Sequence, residues 1–133
     1  ITPEGTPSIC KTLGNNSCHI ILRGSNTGPN YNEKEVNQVR KLINLSGIKA
    51  KIMIDCSHGN SGKIHRNQPI VLKEVIRQIN SGSSDIMGVM IESNIHEGKQ
   101  YLSGDLKFGV SITDSCISIE KTEEILLQAY NNL

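Results

Sequence analysis

Apolar residues in this chain come in short runs that stop abruptly at polar residues, and these runs alternate with helical stripes. Cys18-His19-Ile20-Ile21-Leu22 runs into Arg23-Gly24, and Lys51 to Asp55 breaks into Cys56-Ser57-His58-Gly59-Asn60-Ser61-Gly62-Lys63. Ile86 to Ile91 ends at Glu92, and Phe108 to Ile112 is followed by Thr113-Asp114-Ser115-Cys116. Such runs read as four buried strands. Between them, Val36, Val39, Leu42 and Ile43 recur at helical spacing over Glu33 to Leu45, with Asn32 as a cap and Gly47 as a stop. Asn67 and Pro69 open a second stripe of Val71, Leu72, Val75, Ile76 and Ile79 that ends at Ser81-Gly82. Ile119 to Asn131 closes the chain as a helix, with Ile125, Leu126, Ala129 and Tyr130 expected inward. Residues 1–17 are broken by Pro3, Gly5, Pro7 and Gly14, leaving Thr6 to Thr12 as a short extended arm. The order β-α-β-α-β-loop-β-α predicts an α/β fold with a parallel sheet and right-handed crossovers.

What stands at the end of each strand carries the chemistry. Arg23 ends the first, His58 follows the second, Glu92 ends the third and Asp114 ends the fourth. In a parallel barrel all four ends face one rim, so these distant residues would converge. One imidazole and two carboxylates suit a borderline or hard divalent ion (manganese, iron, cobalt or zinc) better than a closed structural zinc site. Arg23 offers a forked cation for phosphate or carboxylate, and Lys63 a second cation. Each residue also has an ordinary reading: a cap, a salt-bridge partner of Arg23, or a satisfied loop histidine. His19, His65 and His96 read as surface or edge histidines, and Cys10, Cys18 and Cys56 as small buried residues. Cys116 would share the Asp114 face if the strand persisted that far.

Composition narrows the classes. The 133 residues suffice for one domain with a core, and 36% apolar, 20% charged and a net charge of +1 exclude a polybasic arm or an acidic tail. One Phe, three Tyr and no Trp leave no platform for stacking bases, so no nucleic-acid partner is expected. No stretch reaches the roughly 20 apolar residues of a membrane span. Cys10, Cys18, Cys56 and Cys116 have no metal-ruler spacing, which favours a reduced, cytoplasmic setting. The chain begins with Ile, which points to processing or to a fragment.

Asp55-Cys56-Ser57-His58-Gly59-Asn60-Ser61-Gly62-Lys63 resembles the D-x-S-H-x-N-S-x-K signature of the microbial (type I) 3-deoxy-D-arabino-heptulosonate 7-phosphate (DAHP) synthases. His19 to Gly24, Pro29-Asn30-Tyr31, Gly88 to Ser93 and Ser111 to Cys116 resemble other blocks of that family, in order. The resemblance implies a (β/α)8 TIM barrel that condenses phosphoenolpyruvate with erythrose 4-phosphate and water, the first step towards aromatic amino acids. His58, Glu92 and Asp114 would then be metal ligands. Arg23 would bind the phosphoenolpyruvate phosphate, His58 and Asp114 would lie against substrate, and Lys63 joins His58 and Arg23 as a catalytic candidate. The resemblance further implies a homo-oligomer at full length and an aromatic amino-acid inhibitor. Residues 1–17 would be the remnant of a regulatory hairpin.

A full barrel takes about 250 residues, so this chain is expected to supply the last four strand–helix units, the carboxyl-terminal half of one domain over residues 1–133. The family's cysteine ligand and its Lys-Pro-Arg-Thr-Thr motif for the tetrose phosphate are absent from it. The fragment alone is expected to be inactive. Two other readings stand beside this one: a non-catalytic half-barrel that binds metal or phosphate or serves as an interaction module, and a related enolpyruvyl-condensing enzyme acting on another sugar phosphate.

Overall fold

Three Ile- and Val-bearing runs pair side by side, as β-branched residues favour. In the computed structural model, which describes residues 1–133, the elements are β1 (His19–Leu22), α1 (Glu33–Leu45), β2 (Lys51–Asp55), α2 (Gln68–Asn80), β3 (Ile86–Met90), β4 (Ser93–Asn94), β5 (Ile117–Ser118) and α3 (Ile119–Asn131). A single 3₁₀ turn, His65–Asn67, precedes α2. β1, β2 and β3 form a parallel sheet in that order, with β2 central. β4 continues β3 after a two-residue break and pairs in parallel with β5. The parallel α/β expectation therefore holds.

The fourth strand lies elsewhere than expected. Phe108 to Ile112 forms no strand, and Phe108 and Ile112 are exposed. The pairing falls instead on Ile117–Ser118, where the Ile117 N–H donates to the Glu92 carbonyl at 3.0 Å. Ile117 is the buried residue of that strand, so burial beside β4 decides which of two apolar stretches pairs.

The core lies on one face of the sheet. Leu22, Ile52, Ile54 and Ile86 pack with Val36 and Ile43 of α1, Val71, Leu72 and Val75 of α2, and Ile125 of α3. On the other face Ile21 is 43% and Met90 39% exposed, so that face has no covering layer within these residues. The helical stripes are narrower than their apolar content suggests. Leu42, Leu126 and Tyr130, expected inward, are exposed, because the sheet contacts only the line through Val36–Ile43 and Ile125–Ala129.

The helix ends follow local chemistry. The Asn32 side chain accepts from the Lys34 and Glu35 N–H groups, as a cap should. Ser118 does the same for α3 through the Lys121 N–H. Asn67 does not cap α2; its amide donates to the Ser61 carbonyl at 3.0 Å and ties down the preceding loop. Residues 1–18 make two turns, one closed between Thr2 and Thr6 and one at Asn16–Ser17, and form no strand. Cys10 and Cys18, expected to be buried, are exposed there because no element packs against them. All four cysteines are free thiols.

Candidate metal centre at the strand ends

The site is built outward from the end of β2. After Asp55 the chain turns tightly: Ser61 N–H donates to the Ser57 carbonyl and Lys63 N–H to the His58 carbonyl, at 3.1 and 2.7 Å. His58 and Lys63 both adopt left-handed backbone, at φ 44° and 60°. That conformation costs an L-residue about 1–2 kcal/mol, which surrounding contacts must offset. Asn60 supplies them. Its buried amide donates to the Leu22 and Asp55 carbonyls at 2.9 and 2.8 Å, and its oxygen accepts from the Asn30 N–H at 2.8 Å. One side chain thereby locks the ends of β1 and β2 together.

Backbones meet closely at the same place. The Gly59 N–H donates to the Arg23 carbonyl at 3.0 Å. A Cβ on Gly24, whose φ is +85°, would lie 2.5 Å from the Gly59 carbonyl carbon. Only glycine fits there on both counts. Arg23 thus sits directly against the His58 turn, with its side chain exposed.

Three of the five candidate side chains come together. His58 Nε2 lies 3.7 Å from Glu92 Oε1 and 3.6 Å from Asp114 Oδ2, and the three donor atoms are all within 4.8 Å of one another. Each reaches this point differently. His58 Nδ1 is paired with Asp55 Oδ2 at 2.8 Å, and Asp55 Oδ1 accepts from the Ser57 N–H at 2.8 Å. Asp55 is 2% exposed, so the ring is held with Nε2 towards the rim. Glu92 Oε2 accepts from the Ser57 hydroxyl at 2.5 Å, which leaves Oε1 facing His58. Its backbone is clamped by buried Gln68, whose amide oxygen accepts from the Glu92 N–H and whose amide nitrogen donates to the Glu92 carbonyl.

Asp114 departs from the strand-end pattern. It precedes β5 and lies in the long connection from β4, with its side chain 52% exposed. It reaches the rim as a loop residue. Cys116 lies close by, two residues past Asp114. Burial pushes its thiol up, with the charges of Glu92 and Asp114 adding to that and the Ser111 hydroxyl opposing it. Its Sγ donates weakly to the Asp114 carbonyl. Lys63 is exposed at the far end of the turn and stands outside the three-donor cluster.

The donor set fits a divalent cation. Two carboxylates and an imidazole nitrogen face one point, a mixture of donors that borderline and hard divalent ions accept. The outer partners fit as well, since a ligating histidine usually gives its other nitrogen to a carboxylate.

Sequence reading missed four groups here. Asp55 was visible as the start of an Asp-x-x-His turn after a strand, a spacing that could have flagged it. Ser57 and Gln68 carried no such signal. His65, which reads in the sequence as a surface or edge histidine, has a side chain only 16% exposed and bonds Ser115 through Nδ1 at 2.7 Å.

Known proteins resemble this chain over its whole length. It is 48% identical over 132 residues to the tyrosine-inhibited phospho-2-dehydro-3-deoxyheptonate aldolase of Schizosaccharomyces pombe, covering 95% of this chain and 36% of that protein. It is 43% identical over 136 residues to the Tyr-sensitive aldolase of the same name from Escherichia coli, covering 100% and 38%. The solved phospho-2-dehydro-3-deoxyheptonate aldolase of Francisella tularensis superposes with a TM-score of 0.86 at 42% identity, over 91% of this chain and 36% of that one. The chain therefore spans little more than a third of these relatives. With residues 3–127 matching that family throughout, the chain belongs to the DAHP synthetase I family.

Proposed function

We propose that this chain is a carboxyl-terminal part, about the last four strand–helix units, of a metal-dependent DAHP synthase, and that activity belongs to the full-length protein. The observation that carries this is the meeting of His58, Glu92 and Asp114 at one rim of a parallel sheet, in a chain of this family. The uncovered sheet face bearing Ile21 and Met90 supports closure into a (β/α)8 barrel, whose interior that face would line.

A divalent cation held by His58, Glu92 and Asp114 would supply a Lewis acid for the aldehyde of erythrose 4-phosphate; manganese, iron, cobalt and zinc all suit the donors. The remaining work falls to the chain. Asp55 holds His58 in the orientation that turns Nε2 to the rim. Arg23, fixed through its carbonyl to Gly59, binds the phosphate of phosphoenolpyruvate, and Lys63 adds a second cation beside that turn. A carbon–carbon bond forms between the enol carbon of phosphoenolpyruvate and the aldehyde carbon. Water then adds at the carbon bearing the phosphate ester, and phosphate leaves. The names of the relatives, tyrosine-inhibited in one yeast and phenylalanine-inhibited in Saccharomyces cerevisiae, support feedback by an aromatic amino acid. Residues 1–17 are proposed to border that effector site. The full-length enzyme is further proposed to be a cytoplasmic homo-oligomer; no helix here is long and apolar enough to cross a membrane.

The test is condensation by the metal-loaded full-length protein, with release of phosphate from phosphoenolpyruvate measured against erythrose 4-phosphate. His58→Ala, Glu92→Gln and Asp114→Asn should each lower turnover by at least about 100-fold. Full turnover by all three variants would overturn the reading. Residues 1–133 alone should show none. Steady turnover by them would favour a self-sufficient half-barrel instead.

A further inference from the structure

The three donors differ in what holds them, and the third support lies outside everything assigned above. His58 leans on Asp55, and Glu92 on Ser57 and Gln68, all three buried. Asp114 has no such partner for its carboxylate, and its loop is anchored mainly to itself. Gly98 and Cys116 exchange backbone hydrogen bonds at 2.8 and 3.1 Å, and the Gln100 N–H donates to the Ser111 carbonyl, so this part of the connection is stitched to its own earlier residues. Two contacts join this connection to the β2–α2 segment: Glu97, at its start, meets Arg66 and His65, and Ser115, next to Asp114, places its hydroxyl 2.7 Å from His65 Nδ1.

His65 is built for that contact. It sits in the 3₁₀ turn seven residues beyond His58, and its Nε2 is buried without a hydrogen bond, 3.5 Å from Glu97 Oε2. Glu97 is in turn held by Arg66 at 2.7 Å. A carboxylate opposite Nε2 favours the proton on that nitrogen, so Nδ1 accepts and the Ser115 hydroxyl donates.

We propose that the His65–Ser115 hydrogen bond positions Asp114, fastening the loop that carries the third donor to the segment that carries the first. The inference rests on the reading of the rim as a cation site. A loop residue gains from such a tether because ligation demands its oxygen within a few tenths of an ångström of one place. Both partners are positioning residues and touch no ligand themselves.

The experiment uses full-length protein stripped of metal, with Mn²⁺ affinity measured by titration and Co²⁺ ligation by its visible spectrum. Ser115→Ala and His65→Phe should each weaken Mn²⁺ binding by about 10–100-fold and alter the Co²⁺ spectrum. The double variant should be no worse than the weaker single one, since both remove one bond. Ser115→Thr, which keeps the hydroxyl, should restore affinity. The thermal midpoint of the metal-free variants should stay that of the parent. Mn²⁺ affinity within twofold of the parent in both single variants would overturn the proposal, whether or not the midpoint falls. The parent and Asp114→Asn provide the separate control. If the parent does not bind Mn²⁺, or Asp114→Asn binds it as the parent does, the cation-site reading fails first and the tether fails with it.

Discussion

The end of β2 and the loop around Asp114 meet at the same rim but are made differently. From Asp55 to Ser61 five of seven residues are buried, four of them polar and hydrogen-bonded through their side chains, and the backbone is forced into a left-handed turn at His58. From Ile112 to Asp114 every residue is exposed. Buried polar groups are expensive unless satisfied, so the first region is stable only in one arrangement. The second has little to lose by moving. The site thus joins a rigid half, which sets where the donors are, to an adjustable half that completes the set. Loops carrying ligands on a rigid scaffold are a common division of labour.

Substitutions can break this contrast in graded steps. The largest loss of stability is expected for Asn60→Ala in the full-length protein. It removes three hydrogen bonds and leaves the Leu22 and Asp55 carbonyls and the Asn30 N–H seeking partners. Urea denaturation should show about 2–4 kcal/mol of destabilisation, with loss below 0.5 kcal/mol contradicting the central role of this side chain.

Asp55→Asn preserves shape but sets an amide nitrogen against His58 Nδ1 or against the Ser57 N–H. A donor facing Nδ1 moves the ring proton to Nε2 and removes the lone pair a cation needs. Mn²⁺ affinity of the full-length protein should drop by about 10–100-fold. An unchanged titration would mean that Asp55 serves the fold alone.

Cys56 offers a pH test of the buried half. Burial, with the Asp55 charge adding to it, pushes its thiol up to about 12 from an ordinary 9.0. The unfolded chain releases this proton above about pH 9 while the folded chain keeps it. Stability is therefore undiminished below that pH and falls as the pH rises towards 12, by up to about 1.4 kcal/mol per unit. Cys56→Ala should show a shallower decline in denaturation midpoints between pH 9 and 11 than the parent; equal slopes would exclude this contribution.

The smallest effect is expected in the other half. Asp114→Ala should change stability by less than about 0.5 kcal/mol without metal, as exposed positions do, while its cation affinity falls. A destabilisation like that of Asn60→Ala would erase the distinction between the two regions.

Much of this was legible in the residues. Lys51–Asp55 and Ile119–Asn131 have the bounds that apolar runs and caps indicate, and Asn32 caps α1 as its position suggests. His58, Glu92 and Asp114 could be picked out as chemically matched polar residues after apolar runs. The reason for Asp114 was nonetheless different: no strand ends there. Phe108, Val110 and Ile112 alternate as a strand would, yet Gly109 packs against Ile95, the Ile95–Lys99 region takes up the backbone, and pairing falls to Ile117. Alternation reports which residues could be buried and says nothing of what is available to bury them.

Local chemistry written along the chain, in caps, turn glycines and strand-length apolar runs, thus determined the alternation of strands and helices, the parallel α/β class and the residue types of a candidate cation site. Tertiary structure alone decided which apolar stretch became the last strand and which helical faces stayed open. It also set the polar braces. Gln68 meets Glu92 across 24 residues and His65 meets Ser115 across 50. Such bonds leave no trace in periodicity, because each partner alone is an ordinary polar residue, and only the fold sets the two opposite each other.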